Sequence, residues 1–192
     1  MSGNVCAVVI CHGQTEYQFV NAIKSKLRLN IKIFARDKGR SSIQLDKLSD
    51  IFQNEVFRSV KTLTNEYSTI EFKKKELIGC KIFTLMDLDD CKDKSVVSNY
   101  EHGNISRLGK NHQLKPYIQP IYFKNNFEDA LRDINFAFVA ATNREKKHYI
   151  KVFDPVKGEI ASEDSVRDLQ SRFSKSDKTN VDLFLQYCLD NK

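Results

Sequence analysis

The sequence is short of the residues that mark several classes of protein. It has seven glycines, three prolines and no tryptophan in 192 residues, which excludes a collagen-like or low-complexity chain. Its five cysteines are odd in number and contain no Cys-x-x-Cys pair, so we expect free thiols in a reducing compartment. No apolar run approaches the roughly 20 residues of a membrane-spanning helix, and residues 1–11 show no signal-peptide pattern. These absences predict a cytoplasmic protein that is not inserted in a membrane.

The residues that are present suit a folded α/β domain. Hydrophobic residues make up 41% of the chain, which argues against wholesale disorder. Short apolar segments alternate with helical patterns, and this favours a mostly parallel sheet of about four strands with helices on both faces. The predicted strands are 5–11, 31–35, 82–86 and 117–123, and the predicted helices are 16–27, 42–63, 125–134, 162–173 and 179–189. We expect an α/β domain over residues 1–135 and a helical C-terminal extension packed on it over residues 136–192.

Polar residues and prolines set the expected limits of these elements. Thr15 is predicted to cap the first helix, and Ser42 the second, which would run to about Leu63. Pro116 and Pro120 predict an irregular start or an edge position for the last strand, because proline cannot donate a hydrogen bond within a sheet.

Polar clusters follow three of the predicted strands. They are His12-Gly13-Gln14-Thr15-Glu16, Asp87-Leu88-Asp89-Asp90 and Asn125-Asn126-Phe127-Glu128. Ligands bind at the carboxyl ends of parallel strands, so we expect these acidic side chains to converge on one crevice. Alternation along a strand places Asp87 and Asp89 on the same side, where two carboxylates repel unless a cation lies between them. Oxygen ligands of this kind suit Mg²⁺, Mn²⁺ or Ca²⁺.

Basic residues are concentrated in residues 24–47. This window contains eight lysines and arginines and two aspartates, so its charge of +6 equals the formal net charge of the whole chain. Arg36, Lys38 and Arg40 crowd the turn that follows the second strand. Two interpretations stay open at this point, a surface that contacts a phosphate backbone and a solvated basic face.

The three polar clusters, in this order, resemble the motifs of a TOPRIM domain, and most closely the OLD/RloB-like group of bacterial nuclease-like proteins. VVICHGQTEYQF resembles the opening strand and Glu-Gly-x-x-Glu of that group, and IFTLMDLDD resembles its strand ending in Asp-x-Asp. IYFKNNFEDAL resembles a later strand, a polar turn and a Phe-Glu helix start. The resemblance covers roughly residues 5–135 and implies a Rossmann-like fold.

The resemblance implies divalent-metal-dependent cleavage of phosphodiester bonds in DNA or RNA, in bacterial defence. It assigns catalysis to His12, Glu16 and Glu128, metal binding to Glu16, Asp87, Asp89 and Glu128, and nucleic-acid binding to Arg36, Lys38 and Arg40. The metal would be Mg²⁺ or Mn²⁺. Lys146 or Lys147 could neutralise charge on the phosphate, although the sequence does not place either one. A partner subunit of a multi-component system and a homodimer both stay open.

One departure from the motif keeps two other functions open. His12 stands where the group has its first Glu, so one alternative is a catalytically weakened module that binds nucleic acid or a partner. The second is a histidine phosphatase, because VVICHGQTE also resembles the strand-Arg-His-Gly-x-Thr opening of that family, with Cys11 in place of the Arg. Such an enzyme needs a second active-site histidine after a later strand, and His102 follows no apolar strand.

Overall fold

A parallel sheet forms the centre of the fold in a computed structural model that describes residues 4–74, 76–142 and 144–192. The strands are β1 (Ala7–Cys11), β2 (Ile31–Phe34), β3 (Phe72–Lys73), β4 (Glu76–Leu77), β5 (Lys81–Asp87) and β6 (Ile118–Phe123). Four of them form the sheet in the order β2-β1-β5-β6, and each neighbouring pair is parallel. The short strands β3 and β4 form a separate antiparallel pair. The predicted α/β fold class is therefore confirmed.

The strands follow from the apolar pattern of the sequence. All five residues of β1 are buried, as a central strand covered on both faces requires. Val9 belongs to the hydrophobic core on one face of the sheet, and Val8 to the core on the other face. Strand β6 lies at the edge of the sheet, as Pro120 predicts, because an edge strand tolerates a residue without a backbone N–H.

Helices cover both faces of the sheet. They are α1 (Gln14–Lys26), α2 (Leu48–Ile51), α3 (Val60–Glu66), α4 (Lys94–Glu101), α5 (Phe127–Asp133), α6 (Tyr149–Val152), α7 (Glu163–Phe173) and α8 (Val181–Asp190). Helices α1, α5, α7 and α8 contribute to one core, and α2, α3 and α4 to the other. The C-terminal helices pack directly on the sheet, since the rings of Phe83 in β5 and Phe184 in α8 lie 5.1 Å apart. Within the described part of the chain, no helix combines the length and apolar character needed to cross a membrane.

The predicted cap of the first helix is wrong. Helix α1 begins at Gln14 with Gly13 at the N-cap, and the Gly13 N–H donates to Glu16 Oε2 at 2.9 Å. Thr15 lies inside the first turn, and its hydroxyl donates to Glu128 Oε1 at 3.1 Å. The local sequence predicts that the Thr15 hydroxyl caps the helix. It bonds instead to a residue that lies 113 positions away in the chain.

The predicted helix over 42–63 is also wrong. Helix α2 begins only at Leu48 and ends at Ile51, and the next helix, α3, begins at Val60. Asn54 Oδ1 accepts hydrogen bonds from the N–H groups of Val56 and Phe57, both at 3.1 Å. Ser59 then caps α3 by accepting from the Thr62 N–H at 3.1 Å. These side-chain bonds offer the backbone an alternative to the helix, while Ile43 and Phe52 are still buried as their spacing predicts.

The order of the strands creates a switch point between β1 and β5. Strand β1 connects to β2 on one side, and the chain later returns to form β5 on the other side of β1. The connections on the two sides of this point run in opposite directions across the sheet. The carboxyl ends of β1 and β5 therefore border the kind of crevice that binds ligands in open parallel sheets.

Candidate functional site

A cleft of about 350 Å³ opens at the carboxyl ends of β1 and β5. Its walls come from the start of α1, the turn after β2, the last residue of β5 and the 3₁₀ segment Glu145–His148. The lining residues are His12, Gly13, Gln14, Thr15, Glu16, Gly39, Arg40, Ser42, Asp87 and Lys146. The cleft therefore combines acidic and basic side chains from four separate segments of the chain.

Buried carboxylates from three segments meet at or beside this cleft. Glu16 is 2% exposed, Glu128 4% and Asp87 7%. The Phe127 N–H at the start of α5 donates to Asp87 Oδ1 at 3.1 Å. Lys146 Nζ donates to Glu128 Oε2 at 3.1 Å, and this ion pair joins α5 to the 3₁₀ segment. Each carboxylate is thus held by a hydrogen bond that fixes its position.

Burial, and after it the charges of neighbouring groups, change the proton affinity of these acids. Burial raises the pKa of Asp87 well above its usual range, and the charges of Glu16, Asp89 and Glu128 raise it further. Burial also raises the pKa of Glu16, while nearby His12 lowers it. A cation bound between the two carboxylates would relieve the same repulsion that a proton relieves, so the cluster favours positive ligands.

The orientation of His12 is set by a backbone carbonyl. Its Nδ1 lies 2.9 Å from the oxygen of Ile43, and because a carbonyl only accepts, Nδ1 carries the hydrogen and donates. In the neutral ring Nε2 then has the free lone pair, and it lies 3.8 Å from Asp87 Oδ2. Histidines that bind metals are commonly held in this way, with the second ring nitrogen donating to a carbonyl.

Asp90, for which the sequence alone indicates no role, lies against His12 but is not among the described residues that line the cleft. Its two carboxylate oxygens are buried, and the Leu45 backbone lies close enough to lower its pKa. Its Oδ2 lies 3.7 Å from His12 Nδ1, and burial raises its pKa while His12 partly offsets the rise. The signal was the third acid in Asp87-Leu88-Asp89-Asp90, but which acid faces inward depends on the turn after β5.

Asp89 lies away from the cleft, on the exposed side of that turn. Its Oδ2 accepts from Asn126 Nδ2 at 3.2 Å, and it is not among the described residues that line the cleft. Arg36 and Lys38 are exposed and also lie outside the cleft lining, whereas Arg40 is part of it. Lys146, which the sequence could not place, lines the cleft.

The turn that carries Arg40 has an unusual backbone. Asp37, Lys38 and Gly39 follow one another with φ values of 47°, 56° and 86°. A side chain in this left-handed region costs about 1 kcal/mol or more, so the turn is strained. Gly39 also packs so closely on α1 that an added Cβ would lie 2.6 Å from the Gly13 carbonyl oxygen and from Gln14 Cα. This contact holds Arg40 beside the start of α1.

The donor set fits a hard divalent cation, although no three His, Cys, Asp or Glu side chains of the described residues form a ready-made metal site. The supporting observations are the burial of the Glu16 and Asp87 carboxylates and the charge of Glu16, which raises the pKa of Asp87 beyond the effect of burial. Mg²⁺ is usually held by one or two carboxylates together with waters and substrate phosphates. Asp87, Glu16 and the His12 Nε2 are the groups that would hold such an ion.

Comparison with models of known families, with curated proteins and with solved structures finds no match to this chain. The fold and the cleft define a protein of Rossmann-like α/β layout with an acidic site at the switch point of its sheet. The TOPRIM resemblance depends on the residues of three motifs alone and stays a prediction.

The buried acids predict an unusual pH dependence in the metal-free protein. Asp87 and Glu16 bind protons more tightly when folded, because their folded pKa values are raised. The free energy of unfolding should therefore fall as the pH rises from about 4 through the raised pKa values, by about 1.4 kcal/mol for each pKa unit of elevation. Urea unfolding in chelator across this range measures the effect. Asp87→Asn should flatten the curve, and equal slopes for both proteins would contradict this assignment.

Proposed function

We propose that this protein is a divalent-metal-dependent nuclease that cleaves phosphodiester bonds in DNA or RNA. The observation that carries the proposal is one cleft in which Glu16 and Asp87, with buried Glu128 beside them, meet Lys146 and Arg40. The raised pKa values of Asp87 and Glu16 favour a cation, and Arg40, beside the ion-paired Lys146, favours an anion. A metal ion together with a substrate phosphate would satisfy both requirements at the same place.

The acidic side chains of the cleft would bind the metal ion, and the basic side chains would bind the phosphate. When bound, Mg²⁺ or Mn²⁺ would polarise the phosphate and lower the pKa of a coordinated water. Lys146, anchored by Glu128, would face the negative charge that develops on the phosphate oxygens. Arg40 would bind the same phosphate through charge-assisted hydrogen bonds, beside the positive end of the α1 dipole.

Further roles follow the same electrostatic argument. Glu128 would accept a proton from the attacking water, and Asp89, on the exposed side of the turn after β5, would bind a second ion. Arg36 and Lys38, next to Arg40 on the exposed turn, would extend the contact along the nucleic-acid backbone. The motif resemblance supplies bacterial defence as the setting, and five free cysteines favour a cytoplasmic location.

Wild type should cleave nucleic acid faster with Mn²⁺ than with Mg²⁺, because His12 adds a nitrogen ligand that Mn²⁺ accepts more readily. His12→Glu should shift the preference toward Mg²⁺ by about tenfold, since the site becomes all-oxygen. Cleavage rates of both proteins with Mg²⁺, Mn²⁺ and chelator measure the shift. An exposed matched control is His102→Glu, whose wild-type side chain contacts only the Ser98 carbonyl among the contacts of the described residues.

The same assay distinguishes the nuclease proposal from the histidine-phosphatase alternative. That enzyme would hydrolyse a phosphomonoester in chelator and would lose its nucleophile in His12→Glu. His12 is the only histidine among the described residues that line the cleft, which does not support a two-histidine site. Phosphomonoester turnover in chelator by the wild type would overturn the nuclease proposal.

A second candidate function is a module that binds nucleic acid or a partner without cleaving. Two observations favour it, namely His12 in place of the Glu of the motif and the lack of three converged metal ligands among the described residues. Metal binding without turnover, measured by calorimetry beside the cleavage assay, would identify this function.

A further inference from the structure

The hydroxyl of Thr15 joins the two helices that carry acids of the site. Thr15 lies in the first turn of α1 and is 4% exposed, and its hydroxyl donates to Glu128 Oε1 at 3.1 Å. A buried helical threonine commonly donates to a carbonyl of its own helix, as Thr64 does to the Val60 carbonyl at 3.0 Å. Thr15 lines the cleft and Glu128 lies beside it, so this bond connects the cleft to α5.

The Glu128 carboxylate is held by two side chains of different stiffness. Lys146 Nζ lies 3.1 Å from each of its oxygens. The Lys146 side chain is 35% exposed and has a long flexible stem, so it supplies charge rather than a fixed direction. The Thr15 side chain is buried and turns about a single restricted bond, on a helix of 13 residues. Thr15 is therefore the group that fixes the direction of the carboxylate.

The neighbouring acids act against this direction of Glu128. Burial raises the pKa of Asp87, and the charge of Glu128 adds to the rise, together with those of Glu16 and Asp89. These carboxylates repel one another, so an untethered Glu128 would turn away from the other acids. The Thr15 hydroxyl opposes this movement, because a hydrogen bond to an ionised group is roughly twice as strong as one between neutral groups.

We propose that Thr15 is a positioning residue, whose hydroxyl holds the Glu128 carboxylate in the direction that proton transfer from the attacking water requires. This role rests on the proposed nuclease function. In that reaction Glu128 takes the proton while the water oxygen bonds to phosphorus and the bond from phosphorus to the leaving oxygen breaks. A base that has turned away from the water loses rate even when the substrate still binds. Thr15 keeps its own proton and acts only through Glu128.

Cleavage kinetics with Mn²⁺ separate positioning from a structural role. Thr15→Val keeps the shape of the side chain and removes the donor, so kcat should fall about thirtyfold while KM changes less than about twofold. Thr15→Ser keeps the donor and should stay within about threefold of the wild-type kcat. Thr64→Val is the matched control and should keep the wild-type kcat, because Thr64 is buried in α3, outside the cleft lining.

A double-mutant cycle in the metal-free protein gives a second measurement. Urea unfolding in chelator would compare Thr15→Val in wild type and in Glu128→Ala, where the Thr15 hydroxyl has lost its acceptor. Thr15→Val should raise the unfolding equilibrium constant of the wild type about fivefold more than that of Glu128→Ala. Should Thr15→Val fail to fold, Thr15→Ala replaces it in both experiments with the same expectations, because it places no methyl group against Glu128.

Three results would overturn the role of Thr15. They are a wild-type kcat in Thr15→Val, an equal loss of kcat in Thr64→Val, and additive effects in the double-mutant cycle. A wild type that cleaves no nucleic acid with either metal would overturn the nuclease proposal itself, and this role with it. The activity of the wild type therefore distinguishes failure of the proposed function from failure of the positioning role alone.

Discussion

Asp87→Asn is expected to reduce metal-dependent cleavage on the order of a thousandfold and to leave the protein folded. The asparagine oxygen can still accept the Phe127 N–H, so the connection between β5 and α5 persists. What is lost is the charge that the cation requires. The metal-free variant should be as stable as wild type or more stable, because a neutral side chain no longer repels Glu16 and Glu128.

Cleavage rates with Mg²⁺ and Mn²⁺, beside urea unfolding, measure both parts of this prediction. Asp50→Asn, an exposed aspartate in α2, controls for the change of charge and should keep full activity. Asp89→Asn should cause a smaller loss, about tenfold, because Asp89 is exposed outside the cleft lining. Full activity in Asp87→Asn would remove the metal site from the mechanism.

Gly39→Ala is expected to lower the free energy of unfolding by about 3 kcal/mol and to weaken nucleic-acid binding. Two causes add together in this variant. The φ of 86° is strained for any residue with a Cβ, and the new Cβ would lie 2.6 Å from backbone atoms of Gly13 and Gln14. Because backbone atoms cannot rotate away, the turn must leave α1 and carry Arg40 out of the cleft.

Gly103→Ala separates the two causes. Gly103 has a nearly equal φ of 81°, but an added Cβ would find nothing within 4 Å. This variant should lose only the conformational part, about 1 kcal/mol, and should keep its affinity for nucleic acid. Urea unfolding and anisotropy binding of both variants make the comparison. Equal losses in the two variants would mean that the close approach of Gly39 to α1 contributes nothing.

The parallel sheet and the location of the crevice could be read from the sequence, because both depend on local patterns. A continuous apolar run such as Ala7–Cys11 is stable only as a strand covered on both faces, and such strands have covering helices. The polar residues after each run stand at the carboxyl end of a strand whatever the strand order. The sequence alone therefore indicates Glu16 and Asp87 as candidate site residues.

Only the tertiary structure decided which of these groups meet. Lys146 reaches Glu128 across 18 residues, and Thr15 reaches it across 113, and no periodicity reports such contacts. The turn after β5 directs Asp89 outward and brings Asp90 against His12, and the sequence alone does not distinguish the two. The sequence by itself determined which residue types stand at the strand ends, because each strand forms from a short apolar run that is a local pattern. Their pairing and their protonation were decided by packing, because desolvation and charge depend on neighbours that only the fold brings together.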